Sequence, residues 1–245
     1  MAHPNVLVST GAVKVIGTLQ GPGRWVLALA WSPDGRKICA GYNGFYDRAA
    51  WVREYMARVW ELSTGDVLYI LDGHENSVHS AAWSPDGAYL ATGLLNSCVR
   101  MWDADTGDLV RVLRVSTATG MKYRVMHVAW SPGGDILASA HANGSVRVWD
   151  TGTGTCRHTL QGSNQIVSSV AWSPDGCYLA TGGEDGNVRV WEVATAKFVR
   201  VIRGGFTYGE YFTSVVRSPC GNVLFAGTNR RKIFFLNVSG GQLET

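Results

Sequence analysis

The stretch Val78-His79-Ser80-Ala81-Ala82-Trp83-Ser84-Pro85-Asp86-Gly87, followed by Val99-Arg100-Met101-Trp102-Asp103, decides how this chain folds. Ser84-Pro85-Asp86-Gly87 is a tight turn, because proline presets φ at one position and glycine accepts a positive φ at another. On either side, Val78 to Trp83 and Tyr89 to Thr92 are short runs with β-branched and aromatic residues, which predict strands. Trp83 and Trp102 lie 19 residues apart.

The pattern recurs. Trp31-Ser32-Pro33-Asp34-Gly35, Trp130-Ser131-Pro132-Gly133-Gly134 and Trp172-Ser173-Pro174-Asp175-Gly176 repeat the turn, and Arg217-Ser218-Pro219-Cys220-Gly221 is a weaker fifth copy. Successive copies are 52, 47, 42 and 45 residues apart. The second mark returns as Arg58-Val59-Trp60-Glu61, Val146-Arg147-Val148-Trp149-Asp150 and Val188-Arg189-Val190-Trp191-Glu192. The 19-residue spacing holds in copies two, three and four, and the fifth keeps it between Arg217 and Leu236 after losing both tryptophans.

Trp102-Asp103, Trp149-Asp150, Gly73-His74 and the period near 42 residues resemble the repeat of the WD40 family, over nearly the whole chain. The resemblance implies an all-β propeller, each repeat supplying four strands of which the first is the outermost strand of the preceding blade. The expected organisation is one domain over 1–245, with repeats near 20–71, 72–113, 114–160, 161–202 and 203–245. Residues 12–19 resemble an outer strand, since Ser9-Thr10-Gly11 matches Ser63-Thr64-Gly65, and such a strand would complete the last blade. A closed five-bladed ring is the favoured expectation, because closure protects sheet edges. An open or truncated part of a longer propeller stays in view, because Val6 to Val8 resembles the tail of a still earlier strand.

Alternation along Val188 to Trp191 sends both valines to one face and Arg189 with Trp191 to the other. Arg58, Arg100, Arg147 and Arg189 are expected to lay their stems over apolar surface and keep their heads in water. Eight of the ten tryptophans occupy the two repeat positions and are assigned to packing between blades; only Trp25 and Trp51 fall outside.

The WD40 resemblance also implies a buried tetrad of His, Ser or Thr, Asp and Trp, and no repeat has all four. Repeat two offers His74, Thr92 and Trp102 with Asn96 at the Asp position. Repeat three offers Ser139 and Trp149 with Asn143. Repeat four offers Thr181, Asp185 and Trp191, with Ser163 replacing His. Asn lacks the charge-assisted bond of a carboxylate. Blade five, with Ala226, Arg230 and Leu236 at these positions, is expected to be the loosest.

Length variation points to the functional face. The first turn of each repeat is constant, and so are the 11 residues from Trp60 to Leu71, Trp102 to Leu113, Trp149 to Leu160 and Trp191 to Ile202. Repeat one gains ten residues around Asn43 to Ala57, repeat three gains five around Val115 to Tyr123, and repeat five gains three around Gly204 to Tyr211. These connections belong on one face of the disc, and loops on a rigid scaffold carry binding. The candidate partner-binding residues are Phe45, Tyr46, Arg48, Trp51, Arg53, Tyr55, Lys122, Tyr123, Tyr208, Arg230 and Arg231, because aromatics with Arg dominate interface hot spots. Against this stands a structural reading, in which the insertion caps the disc or forms a short helix over Ala49 to Ala57.

The hydrophobic share of 46% supports a sizeable core, while the net charge of +3 falls short of a nucleic-acid signature. Asp47, Glu54, Glu75, Glu184 and Glu210 would also sit among the bases of the binding face. The five cysteines form no CxxC pair, which argues for buried free thiols and against a disulfide framework or zinc site. No apolar run has the length of a membrane span. The histidines are scattered, and no GxSxG, HExxH or phosphate-loop motif is present. The expected function is a non-catalytic scaffold for a protein or peptide of acidic or phosphorylated character, within a multiprotein complex. No cofactor or metal is expected, and the expected location is the cytoplasm, with the nucleus second. A propeller enzyme with a central-channel site and a nucleic-acid-binding module are the alternatives.

Overall fold

The computed structural model describes residues 17–22, 25–47, 52–114, 123–204 and 209–238. Blade one begins with β1 (Val26–Trp31) and β2 (Lys37–Tyr42); a hairpin of β3 (Phe45–Asp47) and β4 (Val52–Glu54) then precedes β5 (Ala57–Glu61) and β6 (Val67–Leu71). Blade two is β7 (Val78–Trp83), β8 (Tyr89–Leu94), β9 (Val99–Asp103) and β10 (Leu109–Leu113). Blade three is β11 (Val125–Trp130), β12 (Ile136–His141), β13 (Ser145–Asp150) and β14 (Cys156–Gln161). Blade four is β15 (Val167–Trp172), β16 (Tyr178–Gly183), β17 (Asn187–Glu192) and β18 (Lys197–Arg203). Blade five has three strands among the described residues, β19 (Phe212–Arg217), β20 (Val223–Thr228) and β21 (Ile233–Asn237).

The recurring turn explains each first hairpin. In blade two the Ser84 hydroxyl donates to Asp86 Oδ1 at 2.5 Å and accepts from Tyr89 N at 2.9 Å, while Ala88 N donates to the same carboxylate at 3.0 Å. Gly87 stands at φ 76°, where a side chain would be strained. Beyond the turn every inner pair carries the same irregularity, at Val26/Ala28, Val78/Ser80, Val125/His127, Val167/Ser169 and Phe212/Ser214. Bulges increase local twist, and five at one register give each blade the same pitch.

Blades pack through the first-strand tryptophans. The indole N–H of Trp83 donates to Ala30 O (3.1 Å), that of Trp130 to Ala82 O (2.9 Å) and that of Trp172 to Ala129 O (3.0 Å). Each ring lies on a row of small or medium residues in the preceding blade. The rows are Ala30, Cys39 and Val59; Ala82, Ala91 and Met101; and Ala129, Ala138 and Val148. An indole buries on the order of 200 Å², about 5 kcal/mol at ~25 cal/mol/Å². The inner strands are also tied directly, since Ser80 Oγ accepts from Val128 N and Ser169 Oγ from Val215 N, both at 3.0 Å.

Several expectations change. Arg100 and Arg147 are buried, so their heads are not free in water as expected. Trp31 does not pack between blades among the described residues: it is 60% exposed. Val52–Glu54 and Ala57–Glu61 are strands, so the insertion holds a hairpin in place of a helix over 49–57. Of the strand expected over 12–19, residues 12–16 lie outside the described residues and Gly17 to Leu19 are in no strand. No described strand pairs with β21 on its outer side, and no sheet is shared by blades five and one, so closure of the ring is not seen. All five cysteines are free; Cys39 and Cys98 are buried, whereas Cys177 and Cys220 are exposed in surface turns. Burial pushes the Cys39 thiol up to about 12.

Candidate partner-binding face

Each blade ties the segment before its first strand to the turn after its second by one backbone hydrogen bond. Asn43 N donates to Trp25 O (3.2 Å), Leu95 N to Ser77 O (3.3 Å), Ala142 N to Arg124 O (2.9 Å), Glu184 N to Ile166 O (2.9 Å) and Asn229 N to Tyr211 O (3.2 Å). The two connections that carry the added residues therefore share one face.

On that face, Tyr46 pairs with Arg53 and Phe45 with Glu54 along the β3–β4 hairpin. Its root is fixed: Gly44 N donates to Ser77 Oγ at 3.2 Å, and a Cβ on Gly44 would stand 2.2 Å from the Tyr55 ring. Tyr55 thus lies half-buried against the backbone, and Met56 is buried beside it. Tyr123 is half-buried, with its amide and carbonyl both bonded to the Ser97 hydroxyl. Arg230 and Arg231 are exposed. Arg48, Trp51, Lys122 and Tyr208 lie outside the described residues.

Arg231 has an unusual backbone. The equivalent turn position is Gly144 in blade three (φ 83°) and Gly186 in blade four (φ 72°), whereas blade two has Ser97 at φ 70° and blade five has Arg231 at φ 63°. A non-glycine residue there costs about 1–2 kcal/mol. Its neighbour Lys232 is committed, since its Nζ lies 3.1 Å from Oε2 of the buried Glu210, which also accepts from Thr228 Oγ1 at 3.4 Å.

Beneath the face lie the polar clusters. Thr92 Oγ1 accepts from Trp102 Nε1 (2.9 Å) and meets His74 Nε2 at 3.1 Å. In blade three, Ser139 Oγ accepts from Trp149 Nε1 (2.8 Å), and His141 Nε2 lies 2.9 Å away. Sequence reasoning left that histidine unassigned. It stands two residues beyond Ser139 in the same strand, so alternation puts both on one face. Tyr42, at the equivalent position of blade one, sets its ring edge-on to Trp60 at 6.4 Å. In blade four, Trp191 Nε1 donates to Thr181 Oγ1 at 3.2 Å, while Asp185 turns to Arg189 at 2.6 Å. The imidazoles of His74 and His141 are each driven down to about 3, first by burial and then by Arg100 and Arg147 respectively.

Acids pair unevenly with the recurrent arginines. Arg100 meets Glu75 at 3.7 Å and places its guanidinium 6.0 Å from the Trp102 ring centre. Glu75 also meets Arg114 at 3.5 Å and accepts from Asn96 Nδ2 at 3.3 Å. Glu75 and Glu210 were read from sequence only as acids diluting a basic face; here they organise it. Among the described residues, no three His, Cys, Asp or Glu side chains are placed to hold a metal ion.

Four stretches, residues 13–49, 65–103, 110–150 and 154–192, match the family model described as WD domain, G-beta repeat. The chain belongs to the WD-repeat family. In the last three stretches the matched unit runs from one blade's outer strand through the next blade's first three strands, and blade five lies outside them. The chain is 34% identical over 110 residues to a WD repeat-containing protein of Schistosoma mansoni, covering 41% of this chain and 33% of that protein. It is 36% identical over 70 residues to a serine-threonine kinase receptor-associated protein of Dictyostelium discoideum, covering 29% and 20% of the two chains. Over 63 residues it is 35% identical to a cell division cycle protein of Arabidopsis thaliana described as a cofactor of the APC complex, covering 25% and 14%. The matches thus span a third or less of these relatives' length. WD-repeat proteins are generally interaction scaffolds without catalytic activity, and they typically bind other proteins in complexes.

Proposed function

We propose that this WD-repeat chain is a non-catalytic scaffold that holds a protein or peptide partner on its loop-bearing face. The observation that carries the reading is Arg231. It is an exposed cation in a left-handed conformation, at a turn position that two other blades fill with glycine and blade two fills with the buried, hydrogen-bonded Ser97. Strained residues persist where the surrounding structure holds them in place, and they cluster at binding and switch sites. The surrounding face combines aromatic residues, Tyr55 and Tyr123, with Arg230 and the β3–β4 hairpin, a composition suited to protein recognition. An acidic or phosphorylated segment is the partner such cations suit. A cytoplasmic setting belongs to the same proposal, consistent with five unpaired cysteines.

Arg231→Gly separates binding from folding. The variant is expected to raise thermal and denaturant stability by up to ~1 kcal/mol, through relief of the left-handed strain. It is also expected to weaken retention of the native partner, measured by quantitative crosslinking in lysate, several-fold. Unchanged retention with a more stable protein would overturn the face assignment.

A further inference from the structure

Arg147 stands apart from its equivalents in neighbouring blades. Arg100 has Glu75 and Arg189 has Asp185. Arg147 is only 4% exposed, and its Nε and Nη1 are buried without a hydrogen-bond partner. The position that supplies Asp185 in blade four is Asn143 in blade three, and the Asn143 carboxamide oxygen is already engaged by Ser145 N at 3.2 Å and Ser145 Oγ at 2.7 Å. The connection from Arg114 to Arg124 adds Lys122 to those two arginines and contains neither Asp nor Glu; nor does the turn from Ala142 to Gly144. Blade three therefore has a buried cation and, in the two connections at this end, no acid of its own. A guanidinium removed from water without a counter-charge is costly, and a planar fork is the group best matched to a carboxylate or phosphate.

We infer that Arg147 is the anchor of an anion-binding site on blade three, taking a phosphate or carboxylate side chain of the bound partner. This inference rests on the loop-face reading above and names the chemistry of the group recognised there. Ser139, Trp149 and His141 hold the floor of the site, and the neutral imidazole adds no competing charge. The exposed Arg124 before β11 adds positive field that draws the anion in from solvent.

The test uses the full chain. Thermal midpoints are measured in inorganic phosphate against chloride at matched ionic strength. Calorimetric titrations follow with one serine peptide in plain, glutamate and phosphoserine forms. Wild type should gain stability with phosphate and bind the phosphoserine form at least about tenfold more tightly than the plain one. A preference for phosphoserine over glutamate assigns the source to phosphorylation, and equal binding assigns it to acidic side chains. Arg147→Met should abolish the phosphate response while its midpoint without phosphate is unchanged or higher, since it removes an unpaired buried charge. If that variant is instead less stable, Arg147→Lys decides, because it keeps the charge and loses the fork, so its response must weaken. An absent wild-type response, or an unaltered response in the deciding variant, overturns the site. Loss of phosphate binding in Arg147→Met beside partner retention that ignores Arg231 would keep this site and overturn the loop-face reading. The reverse pattern would keep the face and overturn the site.

Discussion

His141 shows how one side chain can replace a missing motif residue. Blade two brings its imidazole from the loop before β7, at His74, to Thr92. Blade three brings one from the end of β12 to Ser139. The two routes converge because the pocket beside the third-strand tryptophan needs an aromatic-sized, hydrogen-bonding filler, and alternation along a strand can supply it as readily as a loop. Both rings are neutral when folded, with values near 3 set chiefly by burial. The ordinary value is about 6.5, so the unfolded chain takes up protons below that pH while the folded chain does not. The folded state therefore loses about 1.4 kcal/mol per pH unit per imidazole as pH falls from 6.5 toward 3, and neither ring affects stability above 7. Urea midpoints across this window should fall steadily in wild type. In His141→Gln the slope should be shallower by about one proton; an identical slope would mean that the ring is protonated in the folded protein.

At the scale of the blade, the repeat marks were legible because turn and strand chemistry are local. Trp-Ser-Pro-Asp-Gly announces a hairpin wherever it stands, and the fixed 11 residues after each third-strand tryptophan announce a constant outer turn. What the marks did not disclose was how each blade is held to the next. That depends on cross-strand rows such as Ala129, Ala138 and Val148, whose members are far apart in sequence and meet only through register. The β3–β4 hairpin was missed for a related reason: three-residue strands offer too little alternation to be told from a helix. Blade five combines the losses. Arg217 stands where an inter-blade tryptophan would be and donates instead to Gly221 O at 2.8 Å within its own turn. Ala226 and Leu236 leave no hydrogen bond at the polar cluster, and β21 has no outer neighbour among the described residues. Amides of β20 and β21 should therefore exchange at least about tenfold faster than those of β12 and β13, a gap of ~1.4 kcal/mol in opening free energy. Equal protection in hydrogen-exchange mass spectrometry would show that the Phe212–Phe234 contact, at 5.7 Å, replaces what the tetrad and tryptophan lack.

For the whole molecule, the question is what stands against the first blade, and counting repeats could not answer it. Closure requires the leading face of blade one to fit the trailing face of blade five. The leading face presents Trp31 with Leu29 and Trp25, all more than half exposed. The first-strand tryptophans Trp83, Trp130 and Trp172 each sit on a row of small residues ending in Val or Met. The corresponding row in blade five is Val216, Phe225 and Phe235, with the two rings edge-on at 5.0 Å and Phe235 71% exposed. Phe225 and Phe235 are bulkier than the Ala and Val of those rows, so seating an indole there would overpack the contact at a cost of ~1–3 kcal/mol. The loop-bearing face escapes this obstacle, since its described connections are organised within each blade by Asn43, Leu95, Ala142, Glu184 and Asn229 and need no closed ring. The obstacle can be removed by design. Val216→Ala, Phe225→Ala and Phe235→Val together convert blade five to the receptor row of blade four, Ala171, Ala180 and Val190. Wild type should show Trp31 open to hydroxyl-radical oxidation. The triple variant should protect it, either within a monomer that has closed or within a head-to-tail oligomer that light scattering detects. Protection of Trp31 in wild type would mean that blade one finds a cover without the small-residue row, and the size rule would fall.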